Sequence, residues 1–120
     1  MYGKMKNNPC YSYQTLYRLL NGEMDDLREV ASIFVKEVPA DINSLKHAIS
    51  QKDYKIVQYF SHKLKSSLPN FLPENHKTMP RQLELMAARQ EDWIVIEQAF
   101  ETMEDVSLRA VEALKVDFEF

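Results

Sequence analysis

His62, Lys65 and Ser66 stand three and four residues apart in the run Tyr59-Phe60-Ser61-His62-Lys63-Leu64-Lys65-Ser66-Ser67-Leu68. Imidazole has an unperturbed pKa of about 6.5, so near neutral pH it offers a free, nucleophilic ring nitrogen. Its usefulness depends on where the ring points. Val57, Ser61, Leu64, Leu68 and Phe71 recur at the intervals of one helix face, which fixes the core side of this segment. At about 100° per residue, His62 lies roughly 140° from that stripe, with Tyr59, Lys65 and Ser66 as neighbours. Solvent rather than core is expected to meet the ring. An ordinary charged helix face would have the same composition, so the histidine alone does not decide between chemistry and plain surface.

The elements that must position this face follow from the same periodicity. A chain of 120 residues with 45% apolar content can bury one core but hardly two. Two glycines in the whole chain and few alternating β-branched runs argue against a sheet, and the stretches of Leu, Met, Glu, Lys, Gln and Ala favour helix. The expected class is all-α: an up-and-down four-helix bundle with a short additional N-terminal helix, over residues 13–120. Residues 1–12 are expected to be a flexible N-terminal segment.

The short helix is expected over residues 13–20, with Leu16, Leu19 and Leu20 on one face and Asn21-Gly22 as its stop. The next begins near Asp25-Asp26, whose carboxylates suit a helix N-terminus, and carries Leu27, Val30, Ala31, Phe34, Val38, Ile42, Leu45 and Ile49 in one stripe. Pro39 should kink it rather than end it. The histidine helix starts after Gln51-Lys52-Asp53, and Pro69 should end or bend it by removing a donor and biasing Leu68 away from helical geometry. Thr78 and Pro80 mark the following start, and Arg89-Gln90-Glu91-Asp92 reads as a turn. The last helix repeats Trp93, Ile96, Phe100, Met103, Ser107, Ala110 and Leu114 at the steps of an antiparallel bundle seam.

Several chemistries are disfavoured. Cys10 is the single cysteine and has no internal disulfide partner, which suits a reducing cytoplasm. No apolar run approaches the roughly 18 residues of a membrane span, and residues 1–14 have no signal-peptide core. His47, His62 and His76 have no paired ligand spacing, so no metal site and no cofactor are expected. There is no glycine-rich phosphate loop, hence no autonomous ATP-dependent kinase. A net charge of −3 argues against nucleic-acid binding. Lys52, Lys55, Lys63 and Lys65 instead form a local positive patch on the histidine helix, suited to an acidic protein surface.

His62, Leu64, Lys65 and Ser67 match the H-x-L-K-G-S signature of histidine-containing phosphotransfer domains, with Ser66 in the glycine's place. The chain resembles that family over roughly residues 13–115. Phe34 to Leu45 in sequence, then Ala48 and Gln51-Lys52-Asp53, look like the helix and turn that precede the histidine helix in the family, and Leu83-Glu84 falls where members carry a Leu-Glu pair. A second resemblance, to the S-H-E-L-[KR]-T-P-L box of histidine kinase dimerisation helices, is poorer, because Lys63 and Ser67 replace its acid and its proline.

The resemblance implies a phosphohistidine carrier in two-component phosphorelays. His62 would take a phosphoryl group from a receiver-domain aspartate, or from a histidine kinase, and pass it to another receiver. Lys65 would offset charge on the transferred oxygens, and Glu84 would accept a hydrogen bond from the other imidazole nitrogen. Lys55, Gln58, Tyr59, Lys63 and Ser66 would form the docking surface for response-regulator receiver domains and a hybrid kinase. Magnesium would belong to the receiver. Such a module should be monomeric and cytoplasmic. Two departures stand out. Ser66 adds a hydroxymethyl group where the family has glycine, within reach of the imidazole or the phosphoryl oxygens, and Leu72 replaces another common glycine. They keep a second function open, a degenerate adaptor that docks receivers without transfer. A third is a dimeric kinase-type helix pair.

Overall fold

A computed structural model describes residues 8–120. Five α-helices follow in order: α1 (Gln14–Leu19), α2 (Met24–Ser50), α3 (Tyr54–Ser67), α4 (Met79–Ala88) and α5 (Trp93–Asp117). Helix α3 packs on α2 and α4, and α5 closes the ring against both α2 and α4. Short links between successive neighbours give an up-and-down bundle, with α1 lying on α2.

On α2, α3 and α5 the stripe expected from periodicity is the buried one. On α2, Leu27, Ala31, Phe34, Val38, Ile42, Leu45 and Ile49 are buried, with Val30 at the margin. Helix α2 runs unbroken through Pro39. On α5, Ile96, Phe100, Met103, Ser107, Ala110 and Leu114 are buried, and Trp93 is half-buried against Tyr54 with ring centroids 4.2 Å apart. That stack, and the Tyr54 hydroxyl donating to the Glu91 carbonyl at 2.7 Å, ties the start of α3 to the start of α5.

The helix ends explain why so few glycines suffice. Asn21, Lys52, Gln90 and Glu119 all take positive φ just past a helix, and at each the chain makes the paired backbone bonds of a Schellman stop, for example Asp53 N–H to Ala48 O at 3.1 Å and Lys52 N–H to Ile49 O at 3.0 Å. Asp53 also caps α3 by accepting from the Ile56 N–H at 3.2 Å, and Asp92 caps α5 through the Ile94 N–H at 3.0 Å.

Three expectations need correction. Leu19 is 75% exposed, so the α1 face that touches the core uses Leu16 and Leu20 without it; a helix of six residues has too few turns to bury all three. Leu68 keeps helical angles before Pro69, and the break is instead a 3₁₀ turn over Leu68–Asn70. Phe71 and Leu72 are fully buried just beyond, which holds that tight turn against the core, and the Lys77 ammonium caps the freed Pro69 carbonyl. Of the segment expected to be flexible, residues 1–7 lie outside the described residues, whereas Asn8 and Tyr11 are tied to the bundle. Tyr11 is buried, its hydroxyl donates to Asp117 Oδ2 at 2.7 Å, and Asn8 donates to the same oxygen at 2.9 Å. Burial, then the Asp117 contact, pushes the Tyr11 hydroxyl pKa upward.

Among the described residues, no helix is long and apolar enough to cross a membrane.

Candidate functional site

With Val57, Ser61 and Leu64 turned into the core, the geometry of α3 sends His62 outward, and its side chain is 69% exposed. Helix α4 buries Pro80, Leu83 and Ala87, so Glu84, one residue past Leu83, emerges at the seam facing α3. Its carboxylate joins the two helices. Oε2 lies 2.7 Å from His62 Nδ1, and Oε1 accepts from Lys65 Nζ at 2.9 Å. His62, Lys65 and Glu84, far apart in sequence, thus form one cluster.

The protonation of this cluster follows from its charges. The hydrogen bond from Lys65 holds the Glu84 carboxyl below its ordinary range, the His62 bond adds to this, and partial burial opposes it. An ionised carboxylate only accepts hydrogen bonds, so the His62 Nδ1 must carry the proton. In the neutral ring the lone pair is then on Nε2, the nitrogen pointing away from α4. The arrangement holds a neutral imidazole in one tautomer, with no hydrogen bond to Nε2 among the described residues.

Lys55, Gln58, Tyr59 and Ser66 share the outer side of α3 with His62, and Tyr59 is 62% exposed with its ring edge-on to Phe60. Lys63 departs from them. It leans toward α2, where its ammonium donates to Asp41 Oδ1 at 2.9 Å, and that bond raises the Lys63 pKa. The positive patch expected from four lysines is therefore weaker than its composition implies. Lys63 and Lys65 are each paired with a carboxylate from another helix, 22 and 19 residues away in sequence. Among the described residues, Lys52 and Lys55 make no ion pair.

Ser66 likewise differs from expectation. Its hydroxyl donates to the Lys63 carbonyl at 2.8 Å rather than facing the imidazole, because a helical serine has the carbonyl of the preceding turn within reach. Asp41 is the residue that the helical-face reading did not single out. It is 7% exposed inside the apolar stretch Val38, Ile42 and Leu45. A lone acid within a core stripe was the available signal. No group of three His, Cys, Asp or Glu able to hold a metal ion occurs among the described residues. Compared with protein-family models, with curated proteins and with solved structures, the chain matches none.

Proposed function

We propose that the chain is a phosphorelay intermediate of the histidine-containing phosphotransfer kind, receiving a phosphoryl group on His62 Nε2 and passing it on. The observation that carries this reading is the exposed imidazole with Nδ1 held by Glu84 at 2.7 Å and no hydrogen bond to Nε2 among the described residues. A receiver domain docks over the outer side of α3 and presents an aspartyl phosphate. The Nε2 lone pair attacks phosphorus, the N–P bond forms, and the P–O bond breaks with its electron pair leaving on the aspartate carboxylate. The Nδ1 proton stays on the ring, hydrogen-bonded to Glu84. Transfer to the next receiver reverses these bonds.

Such transfer asks the protein for in-line positioning and charge stabilisation, both of which a rigid helix face supplies. Lys65, one turn from His62, adds positive potential on the α4 side. Magnesium comes with the receiver. The chain acts as a cytoplasmic monomer between a hybrid histidine kinase and response-regulator receivers. The inward-turned Ser66 hydroxyl favours transfer over the adaptor alternative, because it leaves only a methylene where glycine would stand open. A kinase-type homodimer through α3 is disfavoured, since the apolar side of α3 is already buried against this chain's own helices.

The test is phosphoryl transfer from a panel of phosphorylated receiver domains with magnesium to the wild type and to His62→Gln. Acid-labile, alkali-stable label that disappears in the variant is the expected result. Docking without label from any receiver refutes transfer and selects the adaptor, with Ser66→Gly as the next variant.

A further inference from the structure

Asp41 is a costly residue where it stands. It is 7% exposed, and its neighbours on the same side of α2 are Val38, Ile42 and Leu45. Taking a carboxylate out of water is unfavourable unless it is paired, and replacing a buried ion pair by apolar residues of similar volume is often neutral or stabilising. Packing alone would put a leucine-like residue here. What the carboxylate does is orient Lys63, the residue next to His62, through the 2.9 Å bond to Oδ1.

Lys63 is not consumed by that bond. Its side chain remains 46% exposed, and an ammonium has three donors, of which Asp41 Oδ1 takes one. The pair lies at the edge of a cleft of about 140 Å³ between α2 and α3, lined also by Ile33, Phe34, Glu37, Val38 and Ser66, with the Glu37 carboxylate a second, weaker influence on the Lys63 ammonium. Ile33 is 50% exposed. Ser66 belongs both to this cleft and to the outer side of α3 that carries His62, so a partner reaching Nε2 also covers the Lys63 edge. Lys65 differs from Lys63 here, because Lys65 shares its carboxylate with the imidazole itself.

We propose that Asp41 is a positioning residue for partner docking: it holds the Lys63 ammonium at the α2 edge of the His62 face, preorganised to meet the acidic rim of a receiver's phosphoryl pocket. The assignment rests on the phosphorelay reading and names what sets partner affinity at that site. Fixing a long side chain at an interface opposes binding, and the Asp41 bond fixes it before the encounter. Losing that fixation is expected to weaken docking about threefold to tenfold.

The experiment titrates an unphosphorylated receiver against the full chain and against Asp41→Asn, Lys63→Gln and the double variant, at low and high salt. The fold of each is checked by circular dichroism melting. Each single variant should weaken docking by the stated factor; Lys63→Gln, which removes a positive charge, should also flatten the salt dependence, whereas Asp41→Asn, which removes a negative one, should not. Asp41→Asn should add nothing once Lys63 is glutamine, and the change should fall on the receiver concentration needed for half-maximal transfer. A folded Asp41→Asn that docks as wild type overturns the proposal. So does an equal loss from Asp41→Asn in the Lys63→Gln background, which would mark a merely structural role. Should Asp41→Asn fail to fold, Lys63→Gln decides alone, and unchanged docking by it overturns the proposal. A wild type that labels His62 while Asp41→Asn docks normally refutes only the Asp41 assignment. A wild type that neither docks nor labels removes the phosphorelay reading and this one together.

Discussion

Replacing Glu84 by glutamine changes one atom type and sets two hydrogen bonds against each other. In the wild type both carboxylate oxygens accept, one from His62 Nδ1 at 2.7 Å and one from Lys65 Nζ at 2.9 Å. A glutamine has one accepting and one donating end. If its oxygen stays with the Lys65 ammonium, its NH₂ faces Nδ1, favours a lone pair there and moves the ring proton to Nε2, which blocks the nucleophile. If its oxygen turns to His62, the NH₂ meets the ammonium. Alanine removes the acceptor without introducing the wrong donor. A hydrogen bond to a charged group contributes about 1.5–3 kcal/mol. His62 is 69% exposed, so water competes and the lower end applies. With 1.4 kcal/mol per factor of ten, Glu84→Ala should slow single-turnover transfer from a phosphorylated receiver about tenfold. Glu84→Gln should slow it further, about thirtyfold or more, since the favoured amide orientation holds the wrong tautomer. The assay is quenched-flow transfer at saturating receiver, with all variants compared at one pH near neutrality. Rates for both variants within twofold of wild type, or a slower alanine than glutamine, would refute the reasoning.

Other expectations concern stability. The Ser61 and Ser107 hydroxyls are fully buried without a hydrogen-bond partner among the described residues. Ser61→Ala and Ser107→Ala should each stabilise the fold by about 1 kcal/mol, read as a rise of about 4 °C in Tm. Gln90 ends α4 at φ 54°, so Gln90→Gly should relieve strain and stabilise by about 0.5–1 kcal/mol in chemical denaturation, after its greater unfolded-state entropy is allowed for. The folded Glu84 carboxyl titrates below its ordinary range because of Lys65 and then His62. The stability this contributes is present above the unfolded value of about 4.3 and is lost as pH falls through the folded one, so the gap between wild type and Glu84→Gln should narrow from about pH 5 downward. A gap that stays constant to about pH 2 would contradict the pairing.

The order of the helices, their buried stripes and the outward direction of His62 were legible in the sequence. These depend on local periodicity, and a helix with apolar residues at three and four residue steps has one way to bury them. The family resemblance further pointed to Glu84 opposite His62. Local patterns failed where the outcome depended on chain segments distant in sequence. Leu19 shares a helical face with Leu16 and Leu20, yet its short helix does not bury it. Residues 8–12 showed no periodic pattern, yet Asp117, more than 100 residues away, holds Asn8 and Tyr11. Four lysines read as a positive patch because a helical-face reading shows charge on one helix and not the carboxylates that neighbouring helices bring to it.

Local periodicity is thus enough for the all-α class, the core side of every long helix and the presence of an accessible imidazole. These are properties of single helices in water. The tertiary structure alone decided which nitrogen of that imidazole is free, which lysines are already engaged, and that a buried Asp41 stands behind one of them. Hydrogen bonds of 2.7 to 2.9 Å between helices require both partners to be placed within a fraction of an ångström, and only the packed bundle does that.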